Sequence, residues 1–445
     1  MEKTRAAIFI SLCYLLFTFG YVESRGFYHV GELIILIATY FLVTLFYFKP
    51  QFLSSLNIPS DKHSQIFILI LIMIVNIAQV GANLGDSAQT NWLVFSAANR
   101  TLAGFSLVIG LTYFFKKLPQ LFVKHRLLLL IFCAAIIRLF SIFSSPNPPT
   151  DIFYILRDGP KLLFRGINPY ELNYPSPYGV YIPTIVFHYG PLAPFVFLPS
   201  SAIFNDPRFT LILVDLLAAF VIYRLGRHLK VDDQITKLLV IIYLFHPFFG
   251  FMTEHAWPEP LSTLFLLLAV YFTITRRQSI LVGTFLGFIL SIKSVYVLPL
   301  VTYLANTRAK FYQFLLAIGI PIALSAPFLL ANRQLFLDRT QIYVTNPEKI
   351  ATVLAPTNIS LSISAVILKY THIMLPTAAV VIPGLAISFL SILKKSPNVS
   401  FALLSTFIVF FTLFMLGPFV FLYNFAFLGN ILLISILLFS AKDKI

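Results

Sequence analysis

Charged residues are scarce in this chain, which excludes an ordinary soluble fold. Only 11% of its 445 residues are charged, whereas 58% are hydrophobic. A soluble domain carries about 25% charged residues, so a water-exposed surface of this size could not be covered. Apolar runs near the bilayer-spanning length of about 20 residues recur instead. A run such as 65–76 (QIFILILIMIVN) also lacks the alternation of a membrane β-strand. We therefore predict an all-α protein that spans the membrane many times.

Cysteines and glycine-rich phosphate loops are also nearly absent, and this narrows the function. The two cysteines, Cys13 and Cys133, lie in apolar runs, so neither a disulfide framework nor a cysteine metal site is expected. No GxGxxG or GxxxxGKS motif occurs, which argues against nucleotide binding through such loops. The net charge of +15 is typical of basic cytoplasmic loops, an explanation favoured over nucleic-acid binding. We predict no cofactor, no metal and no nucleic-acid partner.

The apolar runs predict about 14 transmembrane helices. Lys3 and Arg5 place the N-terminus in the cytoplasm, because basic residues gather on that side. We interpret the first run as a retained helix, since no convincing signal-peptide cleavage site follows it. The fifth span then delivers the loop 145–188 to the outside. The predicted spans are 7–22, 30–48, 65–83, 101–115, 127–144, 209–225, 238–253, 257–275, 279–292, 294–305, 311–331, 373–393, 399–416 and 420–440.

Two passages complicate the count of crossings. The segment 189–204 is apolar but short and interrupted by prolines, and a re-entrant segment is favoured over a full crossing because it keeps later basic loops inside. For the same reason, 279–305 is predicted as two short helices that meet near Lys293. The chain then divides into three parts. These are N-terminal helices of unassigned role (1–120), a core (121–310) with the outer loop 145–188, and a C-terminal part (311–445) with the outer loop 332–372.

The outer loop 145–188 is predicted to begin with an amphipathic helix pair. Thr150 is a suitable cap before Asp151, and Gly159-Pro160 is expected to end one helix and start another. The apolar residues of both pieces predict that they lie in the outer membrane interface. A carboxylate held at Asp151 beside apolar surface could serve as a base toward an alcohol. A helix N-terminal charge favoured by the dipole is an equal alternative.

Later in the chain, polar residues interrupt apolar runs at two places. The passage 254–259 (EHAWPE) groups two carboxylates, an imidazole and an indole at the outer end of a helical hairpin. Ionisable groups at a membrane edge are functional candidates, with a solvated loop as the alternative. Lys293 could bind a phosphate where the helix junction faces a cavity, and otherwise snorkels. Arg333 and Arg339 are further phosphate candidates or solvated loop charges. A structural role is favoured for Asp215, which lies within a span.

Four passages in this order resemble the multi-spanning GT-C glycosyltransferases that use polyprenyl-phosphate sugars. The likeness is to the enzyme that adds the first mannose in GPI-anchor synthesis and to bacterial polyprenol-phosphate-mannose mannosyltransferases. It covers about residues 127–310 and departs from the family at EHAWPE and at His246, which stands where Asn is usual. The passages are TDIFYILRDGPKLLFRGINPY (150–170), HYGPLAPFVFLP (188–199), LILVDLLAAFVIYRLG with IIYLFHPFFGFMTEHAWPEPLS (211–226 and 241–262), and TFLGFILSIKSVYVLPLVTYL (284–304).

This resemblance implies a GT-C fold and the inverting transfer of a hexose from a polyprenyl-phosphate donor. The family's sugar, mannose, is the expected hexose. The acceptor would be a lipid-linked or cell-envelope glycan, and membrane lipid would surround the donor's tail. Asp151 takes the position of the catalytic aspartate. Lys293, His255, Arg333 and Arg339 are the expected donor-phosphate residues. The expected acceptor or sugar-binding residues are Asp158, Tyr170, Tyr178, Glu254, Trp257 and Glu259.

Other functions compete with this interpretation. A transporter or lipid flippase should show inverted repeats and broken helices in matched halves, whereas this chain has a single candidate broken helix and no matching partner. A polysaccharide polymerase or ligase would also carry a large outer loop. The expected location is a multi-pass integral membrane protein with its site on the non-cytoplasmic face. The membrane would be the plasma membrane in a prokaryote or the endoplasmic reticulum in a eukaryote.

Overall fold

The computed structural model confirms an all-α membrane protein. It describes residues 2–22, 29–83, 92–115, 119–175, 177, 184–276, 279–340, 360–395, 398–417, 420 and 422–441, and it is 80% helical. Within these residues, eight helices are long and apolar enough to cross a bilayer. Further apolar helices are shorter, with 10–17 residues. The count of about 14 crossings therefore stays a prediction.

The described helices follow the predicted apolar runs. They are α1 (Glu2–Val22), α2 (Val30–Phe48), α3 (Phe52–Ser55), α4 (Lys62–Asn83), α5 (Trp92–Leu111), α6 (Gln120–Ser144), α7 (Asp151–Leu162), α8 (Ala193–Phe204), α9 (Arg208–His228), α10 (Asp233–Leu244), α11 (Phe249–Glu254), α12 (Glu259–Thr275), α13 (Ile280–Leu290), α14 (Val297–Asn306), α15 (Phe311–Thr340), α16 (Ile363–Thr371), α17 (Thr377–Leu393), α18 (Val399–Leu416) and α19 (Leu422–Phe439). A small antiparallel sheet pairs β1 (Asn173–Pro175) with β2 (Thr184–Val186).

Two helices differ from the predicted apolar runs, each for a local reason. The span predicted at 238–253 is divided into α10 and α11, because Pro247 lacks the N–H that a continuous helix needs. The outer loop predicted at 332–372 begins in a helix, since α15 continues to Thr340 across a non-helical residue, Asn332 (φ −158°, ψ 91°).

The N-terminal helix is part of the same helical body as the C-terminus. The Tyr21 hydroxyl, at the end of α1, forms a hydrogen bond with His246 Nε2 between α10 and α11. At the other end of α1, Lys3 Nζ donates to the carbonyl oxygen of Ala441 at 3.2 Å. The prediction grouped 1–120 ahead of the core, but its first helix is buried against the final one.

A buried ion pair joins three helices in the interior. Arg138 Nε of α6 lies 2.9 Å from Asp215 Oδ2 of α9, and both side chains are almost fully buried. The Tyr243 hydroxyl of α10 donates to Asp215 Oδ1 at 2.8 Å. The remaining Arg138 nitrogens donate to the carbonyl oxygens of Ala134 and Leu244, both at 3.1 Å. A buried charge is tolerated when it is paired and hydrogen-bonded, so these contacts support the structural role favoured for Asp215.

The helix pair predicted for the outer loop is a single helix. α7 starts at Asp151 as expected, but it continues through Pro160 to Leu162 and closes in a 3-10 turn over Leu163–Arg165. Thr150 precedes the helix without a side-chain capping hydrogen bond to the described residues. The apolar face of α7 is buried against α8, where Ser201 Oγ donates to the carbonyl oxygen of Leu156 at 2.8 Å.

The segment before and within α8 does not contain a full-length span. α8 has 12 residues, which at 1.5 Å per residue gives about 18 Å, against about 30 Å for the hydrocarbon core. Asn205, in the left-handed conformation (φ 55°), ends α8 and leads into α9. The length of α8 agrees with the re-entrant interpretation of 189–204, although whether this segment crosses stays a prediction.

Candidate functional site

The break between α13 and α14 is stabilised by the segment that leads into α8. The Gly190 N–H donates to the carbonyl oxygen of Ile292 at 2.9 Å, and the Leu192 N–H donates to that of Ser291 at 3.0 Å. The last carbonyls of a helix lack partners within it, and two of them are satisfied here. A Cβ on Gly190 would lie 2.3 Å from the Ser291 oxygen, so only glycine fits this approach. The predicted helix break near Lys293 is confirmed.

Lys293 lies at this break and is paired with a carboxylate from the 254–259 passage. Its Nζ forms an ion pair and hydrogen bond with Glu259 Oε1 at the start of α12. The Glu259 side chain is 2% exposed and that of Lys293 is 15% exposed. The same Nζ lies 4.1 Å from the ring centroid of Tyr423 and 5.7 Å from that of Tyr189. Cation–π contacts of this kind stabilise an ammonium that is largely removed from water.

Trp257 belongs to the same cluster through Tyr423. The two ring centroids are 4.9 Å apart, with the rings nearly perpendicular. The chain reverses at Ala256, whose φ of 59° is in the left-handed region. This turn lets Trp257 and Glu259, two residues apart in sequence, both lie beside residues of other helices. The Tyr423 ring thus contacts both Trp257 and Lys293, and Lys293 in turn pairs with Glu259.

His255 and Glu254 lie at the edge of this cluster. The His255 ring is 5.5 Å from that of Trp257 and 3.9 Å from that of Phe251. Its Nδ1 is 3.0 Å from the carbonyl oxygen of Phe251, which orients the imidazole. Glu254 is buried at the end of α11. His255 therefore lies against Trp257, and it is more accessible than Glu254.

His188 connects the outer-loop helix to the helix break. It follows β2, is half-buried, and its Nδ1 is 3.2 Å from the carbonyl oxygen of Val186. Burial lowers the pKa of the His188 imidazole, while the negative charge of Asp151 raises it and the positive charge of Lys293 lowers it further. Both charges must be close to act on the ring. Asp151 and Lys293 therefore share one neighbourhood, with a neutral His188 at pH 7.

A second buried arginine holds the backbone around this neighbourhood. Arg208, at the start of α9, lies 2.6 Å from Asp206 through Nη2. Its Nη1 donates to the carbonyl oxygen of Ser145 at 2.7 Å and to that of Glu254 at 3.3 Å. Ser145 ends α6 and leads to Asp151. Arg208 thus ties the chain that carries Asp151 to the chain that carries Trp257 and Glu259.

Other predicted residues lie away from this cluster. Asp158 is on the partly exposed side of α7 and forms ion pairs with Arg157 at 2.7 Å and Lys161 at 3.1 Å. Burial raises the pKa of Asp158, but the hydrogen bonds and charges of these two cations outweigh it and hold the pKa below its usual value. Arg333 is exposed on α15. Tyr178 lies outside the described residues.

Tyr170 and Arg339 organise the fold of the outer loop. Tyr170 is fully buried, and its hydroxyl donates to the carbonyl oxygen of Tyr189 at 2.8 Å. Its ring is enclosed by Phe187, Phe328 and Phe336. Arg339 donates to the carbonyl oxygen of Leu172 at 2.6 Å and to Asn173 Oδ1 at 3.0 Å. It therefore clamps β1 rather than reaching the Lys293 cluster.

Sequence reasoning did not assign site roles to three residues that the structure places in the cluster. His188 and Tyr189 lie in HYGPLAPFVFLP, so the motif itself offered a signal. The position of the Tyr189 ring 5.7 Å from Lys293 Nζ, however, depends on how distant parts of the chain pack. Tyr423 begins α19, more than 100 residues after Lys293, and nothing in its local sequence distinguishes it from other interfacial tyrosines.

Side chains of the types found in the cluster can stabilise charge and accept or donate protons. The cluster combines a carboxylate at a helix N-terminus, a neutral imidazole, a paired ammonium and aromatic rings. Among the residues that the structure describes, no three His, Cys, Asp or Glu side chains form a group that could hold a metal ion. No protein-family model matches the chain, and no curated protein or solved structure matches it either.

Proposed function

We propose that the chain is an integral-membrane inverting glycosyltransferase with a GT-C fold. It would move a hexose, with mannose as the first sugar to test, from a polyprenyl-phosphate donor to a hydroxyl of a lipid-linked or cell-envelope glycan. In this proposal the site faces the non-cytoplasmic side of the membrane. That membrane is the plasma membrane in a prokaryote and the endoplasmic reticulum in a eukaryote.

The proposed reaction is a single displacement at the anomeric carbon. The acceptor oxygen bonds to C1 as the bond from C1 to the phosphate oxygen breaks. Asp151 takes the proton of the acceptor hydroxyl, and the polyprenyl phosphate leaves as an anion beside Lys293. One base and one displacement give inversion, as in other one-step transfers at an anomeric carbon.

One observation supports this assignment of roles above the others. Arg208 donates hydrogen bonds to the backbone shortly before Asp151 and to the backbone shortly before Glu259, at the carbonyl oxygens of Ser145 and Glu254. The chain that leads to Asp151 is thereby held beside the chain whose Glu259 pairs with Lys293. A base and a cation for the leaving group are needed on the two sides of one sugar. Trp257 and Tyr423 add aromatic faces next to the cation. The short apolar helix α8, which begins shortly after Tyr189 in the chain, is suited to contact an isoprenoid tail.

The test is transfer of labelled mannose from synthetic polyprenyl-phosphate mannose, by the purified full chain, into the glycolipids of membranes from the expressing cells. Asp151→Asn keeps the size of the side chain and removes the base. We expect transfer to fall by about 100-fold or more, the range of a lost general base. The thermal midpoint should stay close to that of the wild type, because Asp151 is only half-buried.

Glu171→Gln is the matched control. Glu171 is an exposed carboxylate in the same outer loop, hydrogen-bonded to Asn168 at 3.2 Å. It should transfer at the wild-type rate. Equal rates for Asp151→Asn and the wild type would refute Asp151 as the base, and no transfer from any polyprenyl-phosphate hexose would refute the function.

A further inference from the structure

The buried carboxylate of Glu259 uses only one of its two oxygens within the described structure. Oε1 accepts from Lys293. Oε2 is buried and has no hydrogen-bond partner among the described residues. An ionised carboxylate offers about four acceptor positions, and a buried acceptor without a donor is costly. The Glu259 side chain, which is 2% exposed, therefore has an acceptor oxygen that the described residues do not use, next to the ammonium of Lys293.

Ser262 lies one turn further along α12 and shares this property. Residues three apart lie on the same face of a helix. Its side chain is 1% exposed, and its Oγ has no partner among the described residues. The first turn of α12 therefore presents two buried polar groups in succession, which is uncommon in an apolar helix that could have used alanine at either position.

The surroundings of the pair favour a ligand with both hydroxyls and an apolar ring face. Tyr423 and Trp257 are half-buried aromatic side chains in contact with each other, and Tyr423 lies against Lys293. Sites for small molecules combine such walls with a few convergent polar groups. A sugar ring offers apolar faces together with several hydroxyl donors at its edge, whereas a free phosphate offers no apolar face.

Charge orients such a ligand on the pair. The Lys293 ammonium has three N–H donors, of which one is given to Glu259. A phosphate is attracted to Lys293 and repelled by the carboxylate, so it must bind on the lysine side. A hydroxyl that donates to Oε2 must bind on the glutamate side. Since both carboxylate oxygens are bonded to one carbon, the two binding points are neighbours, and phosphate and hydroxyl must be adjacent on the ligand.

Resting on the proposed function, we propose that Glu259 and Lys293 form one recognition subsite for the donor. Lys293 binds the phosphate of a polyprenyl-phosphate hexose, and Glu259 Oε2 accepts a hydrogen bond from the 2-hydroxyl, the hydroxyl next to the anomeric carbon. A hydrogen bond to this hydroxyl also gains strength as positive charge develops at C1 during transfer. Glu259 thereby selects donors that carry a 2-hydroxyl.

The test compares equilibrium binding of three lipids to the purified full chain: polyprenyl phosphate, polyprenyl-phosphate mannose, and its 2-deoxy analogue. The wild type should bind the mannosyl lipid about tenfold more tightly than the 2-deoxy lipid, as expected for a hydrogen bond to a charged group. Glu259→Gln should bind the two sugar lipids equally, and it should bind polyprenyl phosphate at least as tightly as the wild type does, because the repulsion by the carboxylate is removed. Glu171→Gln, which alters an exposed carboxylate, should keep the wild-type preference.

The possible results distinguish a failure of the proposed subsite from a failure of the proposed function. A wild type that binds both sugar lipids equally refutes the subsite and leaves the function standing. Equal weakening of all three lipids by Glu259→Gln also refutes it, because Glu259 would then only position Lys293. A folded wild type that binds none of the lipids refutes both. If Glu259→Gln does not fold, the affinities of the wild type for the mannosyl lipid and for its 2-deoxy analogue are sufficient to test the subsite.

Discussion

Two ion pairs in this protein, Arg138–Asp215 and Lys293–Glu259, are built differently. Arg138 is fully buried, and its three nitrogens reach Asp215 and two carbonyl oxygens, while Tyr243 occupies the second oxygen of Asp215. At the other pair, Lys293 is 15% exposed and one oxygen of Glu259 has no partner among the described residues. The first pair is saturated by the protein, and the second retains binding capacity.

This difference distinguishes an ion pair that stabilises the packing of helices from an ion pair that can also bind a ligand. Arg138–Asp215 joins α6, α9 and α10 in the interior. Lys293–Glu259 joins the ends of two helices beside the outer loop, next to half-buried aromatic rings. Burial alone does not distinguish them, because Asp215 and Glu259 are both nearly inaccessible. The two pairs differ in how many hydrogen-bonding positions of their carboxylates the protein itself satisfies.

The comparison is tested most strongly by removing the cation of each pair. Arg138→Met leaves Asp215 as an unpaired buried charge, and we expect a loss of about 3–5 kcal/mol in the free energy of unfolding. Arg138→Met combined with Asp215→Leu should recover much of it, since no charge is then left buried. Lys293→Met also leaves a buried carboxylate, Glu259, unpaired, so it should lose both stability and donor binding. The double variant Arg138→Met with Asp215→Leu should keep donor binding, and an equal loss of donor binding by this double variant and by Lys293→Met, measured in mixed detergent, would remove the distinction.

A smaller effect is expected at Gly190, which positions Lys293 without touching its charge. Gly190→Ala places a Cβ 2.3 Å from the Ser291 oxygen. The backbone must shift, and overpacking of this kind costs about 1–3 kcal/mol. We expect donor affinity to fall while the Arg138–Asp215 pair is undisturbed. Gly319→Ala, where a Cβ meets nothing within 4 Å, is the matched control. Equal thermal midpoints and donor affinities for the two variants would contradict the positioning role.

The sequence predicted this fold well where hydrophobic length determines it. Spans predicted at 30–48 and 399–416 coincide with α2 and α18, because one apolar run makes one membrane helix. The course of the outer loop was harder: Pro160 was expected to divide α7, but burial of its apolar face against α8 keeps one helix. Local propensity is overridden there by packing that periodicity cannot specify.

The candidate site was predicted only in part, for a physical reason of the same kind. Asp151, Trp257, Glu259 and Lys293 were recognisable as polar residues at the ends of apolar runs. Their pairing was not, because it depends on how the helices are arranged. Lys293 was interpreted as a phosphate ligand, and its ion pair with Glu259 spans 34 residues. Tyr423 joins the cluster only through the packing of α19.

The smallest expected effect concerns His188, which lies beside the unsaturated pair. Burial lowers its pKa below the ordinary 6.5, with Lys293 acting in the same direction and Asp151 against both. The unfolded chain therefore binds a proton at higher pH than the native protein does. Stability from the neutral imidazole is complete above pH 6.5 and is lost as the pH falls through 6.5 toward the native pKa. His188→Gln cannot be protonated, so its unfolding free energy should fall less than that of the wild type between pH 7 and pH 5. Parallel plots of unfolding free energy against pH for the two proteins would mean that His188 is equally protonated in the folded and unfolded states. Burial and the charges of Asp151 and Lys293 would then have no net effect on its pKa.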